Sequence, residues 1–297
     1  MKRKKVRKDM GQKNLLNDYE LLDSGAYEKL ERWGDYILIR PEPTALWKRN
    51  PNLYQWYQAD GHYHRNEKHQ GHWQFRTELP NSWIFNYKDL RFKIVPSENK
   101  HTGLFPEQAI NWQWMEHLIH QAYKPIQVLN LFAYTGAASL VCAQAGAKQV
   151  VHVDASRSIV NWAQENRNLS RLEDYSIRYL VDDCVKFVQK EQRRENRYQA
   201  IIMDPPSYGR GPNNEIWKIE DQLQPLIDAC LEIFDTDNPL FFLINTYTTN
   251  LSVQTLKNIM IQNFGHLQGT IEVFENGLSH SNNDLTLPCG VSARWSK

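Results

Sequence analysis

The sequence predicts an α/β fold: an open, mostly parallel sheet flanked by helices, preceded by a small β-rich domain. Three observations carry that expectation. From about residue 98 onward, short apolar runs alternate regularly with segments of helical character. Those runs ("QVLNLF", "KQVVHVD", "YQAIIMD", "NPLFFLINT") are apolar at nearly every position, as strands covered on both faces are. Before residue 98 the pattern differs, with aromatic and β-branched runs broken by turn residues: "DYILIRPEP", "HWQFRTELP" and "SWIFNYKDLRFKIVP".

The elements of the main domain follow in order. "FPEQAINWQWMEHLIHQAY" is predicted helical, with Pro106 and Glu107 suited to its first turn. "QVLNLF" is the first strand, "AASLVCAQAG" a helix and "KQVVHVD" the second strand. "SIVNWAQENRNLS" is a helix, "YSIRYLV" the third strand and "DDCVKFVQKEQRRE" a helix. "YQAIIMD" is the fourth strand, followed by helix "NEIWKIEDQLQPLIDACLEIF", in which Pro225 predicts a kink, and by strand "NPLFFLINT". Helix "VQTLKNIMIQNF" and strands "LQGTIEVFE" and "CGVSARW" close the chain. No helix separates the last two strands, so the last is expected antiparallel. Three segments result: a basic tail over 1–15, a β-rich accessory domain over 16–97 and the sheet domain over 98–297. In "SWIFNYKDLRFKIVP" the expected hairpin has Tyr87, Lys88 and Asp89 near its tip.

Composition limits the function classes. A chain of 297 residues with 41% hydrophobic content can build both domains, and no apolar run is long enough to span a membrane. The basic start "MKRKKVRKDMGQKN" lacks the apolar stretch of a secretory signal, and Cys142, Cys184, Cys230 and Cys289 show no CxxC pairing. A cytoplasmic protein with free thiols is expected. Net charge is +1, so the molecule as a whole is not a polycation. Lys2, Arg3, Lys4, Lys5, Arg7 and Lys8 read as a solvated, disordered tail that could also contact phosphates. His62, His64, His69 and His72 in "ADGHYHRNEKHQGHW" read as part of a polar loop, since no cysteine or carboxylate ligand stands at a matching spacing for a metal.

In such a sheet, ligands bind beyond the carboxyl ends of the strands. The residues there are "NLFAYTGAAS" after the first strand, Asp154 after the second, Asp182 and Asp183 after the third and Asp204 after the fourth. Neither GxGxxG nor GxxxxGK[ST] is present, so a phosphate-bearing cofactor is not expected. Asp154 stands 18 residues beyond Gly136 (154 − 136), near the offset at which an acid grips ribose hydroxyls. For Asp182 and Asp183 the competing role is a helix N-cap. S-adenosyl-L-methionine meets these terms, having a ribose, an adenine amino group and a cationic sulfonium. With "HTGLFPEQ", "NLFAYTG", "VHVDAS", "DD" and "DPPSYG" in succession, the chain resembles the Rossmann-like class I methyltransferases. Within them it is most similar to bacterial 23S ribosomal RNA base methyltransferases with DPP-x-aromatic after the fourth strand. "ELLDSGAYEKLERWGDYILIRPEPTALW" resembles the lead-in of a group of predicted methyltransferases with the same core.

The resemblance implies roles residue by residue. Thr102, Phe105 and Gln108 would close over the methionine end of the cofactor, and Asn130, Phe132, Tyr134 and Gly136 would line the turn beneath it. Asp154 would take the ribose hydroxyls with Ser156 beside it, and Asp183 the adenine amino group. Asp204, Pro205, Pro206 and Tyr208 would form the lip that meets the acceptor, with proline carbonyls open to an amino group and Tyr208 stacked on a base. Gly209 and Gly211 would let the loop bend around the substrate.

Methylation at carbon 5 of cytosine needs a thiolate, and "FFLINTYTTN" after the fifth strand has none. Transfer to nitrogen is therefore expected, with ribosomal RNA as partner; a protein side chain or a small molecule is the other acceptor class, and a cofactor-binding module without catalysis a third. Cys289 reads as a structural thiol, although an antiparallel last strand would start at the substrate rim. No reading of oligomeric state emerges.

Overall fold

The computed structural model describes residues 16–65, 71–97, 100–211, 215–247 and 251–297. The basic tail, His69 and Pro212 lie outside them. The described chain divides into two compact units: one comprises the chain up to Lys88 with Ile94–Ile110 and Leu278–Leu287, the other Asp89–Lys93, Asn111–Gly277 and Pro288–Lys297.

The first unit is built on strands β1 (Tyr19–Gly25), β2 (Glu28–Trp33), β3 (Tyr36–Pro41), β4 (Gly61–Arg65) and β5 (Gly71–Phe75), in that spatial order among the described residues. A short helix α1 (Gln55–Gln58) precedes β4. β1–β2–β3 is an antiparallel meander, β3 and β4 run parallel, and β4–β5 is antiparallel. Alternation along β2 sends Leu30 into a small core with Leu22, Ile39 and Trp56. On the other face Glu31, fully buried, accepts from Arg40 at 2.6 and 2.8 Å and from Tyr19 at 2.8 Å. Strands β6 (Trp83–Tyr87) and β7 (Leu90–Ile94) flank the expected hairpin tip, where Lys88 takes a left-handed φ of 52°. His62, His64 and His72 form a stack, with ring centroids 3.9 and 5.7 Å apart, and His62 Nε2 lies 2.6 Å from Glu28 Oε1. Among the described residues no group of three or more His, Cys, Asp or Glu is placed to hold a metal.

The second unit carries the sheet the sequence predicts. The predicted helix opens as a 3-10 turn at Pro106–Gln108, in the first unit, before α2 (Ala109–Gln121) continues it. Then come β8 (Gln127–Leu131), α3 (Ala137–Gln144), β9 (Gln149–Asp154), α4 (Arg157–Leu169), β10 (Ile177–Val181), α5 (Cys184–Arg193) and β11 (Ala200–Met203). Short strands β12 (Tyr208–Arg210) and β13 (Ile216–Lys218) pair before α6 (Ile219–Ile233), β14 (Phe241–Thr246), α7 (Val253–Phe264), β15 (Thr270–Ser279) and β16 (Thr286–Ser296). The sheet order is β10-β9-β8-β11-β14-β16-β15. Strands β10, β9, β8, β11 and β14 are parallel to their neighbours, and β16 is antiparallel to β14, as expected. Leu129, Val151, Ile201 and Phe242 are at most 1% exposed, so the sheet is covered on both sides as its unbroken apolar runs require. Helix α6 starts five residues later than expected, because "EIWK" pairs with Tyr208–Arg210 instead. Pro225 stays inside it and leaves the Asp221 carbonyl without its helical donor.

Candidate active site

Parallel register aligns the carboxyl ends of the strands. Leu180, Val153, Leu131, Met203 and Ile244 form one row across the sheet. The next residue on each chain brings Val181, Asp154, Phe132, Asp204 and Asn245 into a common rim. Asp204 N donates to the Leu131 carbonyl and Ala133 N to that of Val153, which carries the alignment past the strand ends.

The turn after β8 is strained. Phe132 and Tyr134 adopt left-handed φ values of 54° and 50°, and Gly136 one of 90°. Bulky side chains in that region cost on the order of 1–3 kcal/mol each, and such strain concentrates at ligand clamps. Gly136 also has no room for a side chain, since a Cβ there would sit 3.0 Å from Ala163 Cβ. Beneath the turn, Asn130 Nδ2 donates to Ser139 Oγ at 2.9 Å, and Ser139 Oγ lies 3.0 Å from His152 Nδ1. Burial pushes His152 down to about 3, so this chain of three buried side chains is neutral and props the loop without charge.

Asp154 ties the turn to the next helix. Its Oδ2 accepts from Tyr134 N at 3.0 Å and its Oδ1 from Ser156 N at 2.9 Å. Burial raises its pKa, opposed by these backbone donors. A carboxylate offers about four lone-pair sites, so a diol can still bond to it. The half-buried Asp154 thus fits a ribose, and donors from one would complete its shell. Ser156 is the N-cap of α4, its hydroxyl 3.0 Å from that of Ser158.

Asp183 takes the competing role weighed from sequence: its Oδ1 accepts from Lys186 N at 2.9 Å and caps α5. Its other oxygen faces the β12–β13 hairpin, where a Cβ on Gly211 would come within 3.0 Å of Oδ2. Asp182 is held by Lys190 Nζ at 2.6 Å. The lip is organised by a residue that sequence reasoning missed. Trp217 Nε1 donates to the Pro206 carbonyl at 2.6 Å, and its ring stands 4.9 Å from that of Phe132. One lone pair of the Pro206 carbonyl is therefore engaged inside the protein. Tyr208 projects from the hairpin, 54% exposed. The sequence signal for Trp217 was available: "IWK" is strand-prone and directly precedes Glu220 and Asp221, the acidic first turn of α6.

Thr102, Phe105 and Gln108 belong to the first unit. Thr102 is buried, the Phe105 ring lies 5.5 Å from that of His101, and Gln108 N donates to the Phe105 carbonyl at 3.0 Å. Three cysteines, Cys142, Cys184 and Cys230, are buried and their thiol pKa values are pushed up by burial. Half-buried Cys289 is the fourth residue of β16, which begins earlier than the sequence suggests, and lies two residues before Val291, which pairs with Thr246 at the end of β14.

Residues 60–221 match the family model of S-adenosylmethionine-dependent methyltransferases, more than half of the chain. The chain belongs to that family. A crystal structure of the S-adenosylmethionine-dependent methyltransferase from Agrobacterium tumefaciens is 35% identical, with a TM-score of 0.89 over 95% of this chain and 91% of that one. A structure described as a methyltransferase complexed with S-adenosylhomocysteine shares the fold at 19% identity, TM-score 0.72, covering 95% and 76% of the two chains. Among curated relatives, the ribosomal RNA large subunit methyltransferase K/L of Shewanella frigidimarina is 28% identical over 60% of this chain and 24% of its own length. That of Pseudoalteromonas atlantica is 34% identical over 44% and 18%. The chain thus spans about a quarter or less of the curated relatives it matches. This methyltransferase is an enzyme that uses S-adenosylmethionine, and among its described residues no helix is long and apolar enough to cross a membrane.

Proposed function

We propose that this methyltransferase modifies a base of ribosomal RNA at nitrogen, without a covalent cysteine intermediate. The observation that carries the reading is the lip: a carboxylate, two prolines and an exposed tyrosine held at the strand-end rim by the Trp217–Pro206 hydrogen bond. A planar acceptor would stack on Tyr208, worth roughly 1–3 kcal/mol per base. The names of the ribosomal RNA methyltransferase relatives support the substrate class.

S-adenosylmethionine supplies an activated methyl group on a sulfonium; the protein's own residues aim the acceptor at it. Asp154 binds the ribose and Asp183 the adenine amino group, while the strained turn from Asn130 to Gly136 shapes the floor. Asp204 and the Pro205 carbonyl orient an amino or ring nitrogen so that its lone pair lies in line with the methyl carbon. Positioning of this kind contributes on the order of 7–11 kcal/mol to lowering such a barrier. A base within a stem would first have to be flipped out of its stack. Burial raises the pKa of three thiols and so disfavours them as nucleophiles, and with Cys289 read as structural the acceptor is one with its own lone pair.

The test is transfer of labelled methyl to ribosomal RNA from a strain lacking this gene, with nucleoside analysis. Label in a guanosine ring-nitrogen or amino-methylated base is expected. Label in 5-methylcytidine would overturn the nitrogen reading and implicate Cys289. Label only in protein or small molecules would replace the RNA reading.

A further inference from the structure

We propose that one face of the five-stranded sheet in the first unit binds the phosphodiester backbone of the RNA acceptor, through Arg65 and Lys100. The inference rests on the RNA reading above.

Strand alternation puts the cations together. Lys29 on β2 pairs with Arg40 on β3, so both side chains leave the same face. Leu38, two residues before Arg40, pairs with Gly61 on β4, and Arg65 follows Gly61 by an even step onto that face. Lys100 is fixed beside them, because Arg40 Nη1 donates to its carbonyl at 3.0 Å. Its backbone is left-handed, with φ 62°, a conformation unusual for a lysine.

Carboxylates on this face do not balance these charges. Glu31 is engaged by Arg40 and Tyr19, and Glu42 reaches Lys29 at 3.3 Å. Four cations (Lys29, Arg40, Arg65, Lys100) against Glu31, Glu42 and Glu107 leave a surplus of one (4 − 3) among the described residues. Burial raises the pKa of Glu107, while Lys29 and Arg40 nearby lower it. The crowding is felt by its members. Burial, with Lys29, Arg65 and Arg40 nearby, pushes Lys100 down to about 8. Burial, with Arg40, Lys100, Lys29 and Arg65 nearby, pushes His101 down to about 4. An anion would relieve both.

The same face identifies the anion as part of a nucleic acid. Trp73 and Phe75 on β5 pair with Tyr63 and Gly61, on the same face as Arg65, whose own partner is Gly71. Their rings are stacked at 6° with centroids 5.8 Å apart, and Phe75 is 45% exposed on the edge strand. Cations that track a backbone beside an exposed aromatic platform suit a nucleotide chain better than a free phosphate.

The test is binding of a ribosomal RNA transcript to the full chain between 50 and 200 mM KCl, for wild type, Arg65→Gln/Lys100→Gln, Arg65→Gln alone and Phe75→Ala. Each lost phosphate contact should reduce the slope of log K against log salt by about 0.7–0.9, so the double variant should lose about 1.4–1.8. Phe75→Ala should weaken binding about fivefold or more with an unchanged slope. Thermal unfolding monitors folding, and Arg65→Gln, at an exposed strand end, keeps the test decisive should the double variant not fold. Unchanged slopes in variants that bind the transcript would overturn the assignment of this face while leaving the RNA acceptor standing. Wild-type protein that neither binds nor methylates the transcript would overturn both.

Discussion

Replacing Asp154 by Asn tests the cofactor assignment most directly. The carboxylate accepts one backbone N–H on each oxygen, from Tyr134 at 3.0 Å and Ser156 at 2.9 Å. An amide keeps one acceptor oxygen and turns the other position into a donor. Two ribose hydroxyls on a carboxylate are worth about 1.5–3 kcal/mol each. With one acceptor retained, the loss in Asp154→Asn is about 2–4 kcal/mol. At 1.4 kcal/mol per decade that is a roughly thirty- to several-hundred-fold rise in Kd. The fold should suffer less. One backbone N–H loses its partner, at about 1–3 kcal/mol, but a buried charge whose pKa burial has already raised is also removed. Calorimetric titration with S-adenosylhomocysteine, paired with thermal unfolding, separates the two effects. The pH dependence has a definite sign. Binding uses the carboxylate, so affinity should fall as pH drops through the raised pKa of the free protein, and the Asn variant should lack that dependence. A Kd within threefold of wild type in a folded Asp154→Asn protein would refute the ribose assignment.

Four further outcomes follow from the geometry. Trp217→Phe keeps an aromatic ring against Phe132 but removes the N–H held by the Pro206 carbonyl, so single-turnover methyl transfer should slow about tenfold while cofactor Kd stays constant. Cys289→Ser should retain nearly full activity; a loss of several orders of magnitude with trapped covalent RNA adducts would contradict the lone-pair chemistry. Gly136→Ala forces a side chain into a φ of 90° and against Ala163, and should lower stability by about 1–3 kcal/mol in urea titrations. Glu31 is pushed up by burial but pulled down more strongly by Arg40 and Lys29, ending at about 2 against an ordinary 4.5. Its folded-state pKa is lowered, so its contribution is complete above about 4.5 and lost as pH falls toward 2; Glu31→Gln, which leaves Arg40 buried and uncompensated, should cost about 3–5 kcal/mol at neutral pH.

The sheet was legible because burial on both faces imposes a composition that survives without any structure. The strand "AIIM" is apolar throughout, and the acid that follows it, Asp204, cannot belong to the same buried run. Asp154 could be placed from the sequence because it ends the second strand, 18 residues beyond Gly136 (154 − 136). The left-handed turn at Phe132 and Tyr134 was not legible, since nothing about two aromatics announces a positive φ. The surrounding contacts, with the Tyr134 amide held by Asp154, impose it. Asp183 illustrates the opposite limit, where one residue satisfies a local rule and a ligand role together. Capping takes one oxygen and leaves the other facing Gly211, so the helix N-cap and the adenine contact need not exclude each other.

The lip shows where reasoning from local sequence gives way to tertiary context. Two adjacent prolines do offer carbonyls without N–H groups, but whether another donor already holds one of them is decided by tertiary context. Trp217 does hold that of Pro206, from a strand eight residues beyond Gly209 (217 − 209), by way of a hairpin that displaces the predicted start of α6. The consequence is mechanical. The segment has its Pro206 end pinned by Trp217 and its Tyr208 end exposed. For the proposed transfer to a base, such a segment would combine rigidity beside the acceptor with access for a large substrate.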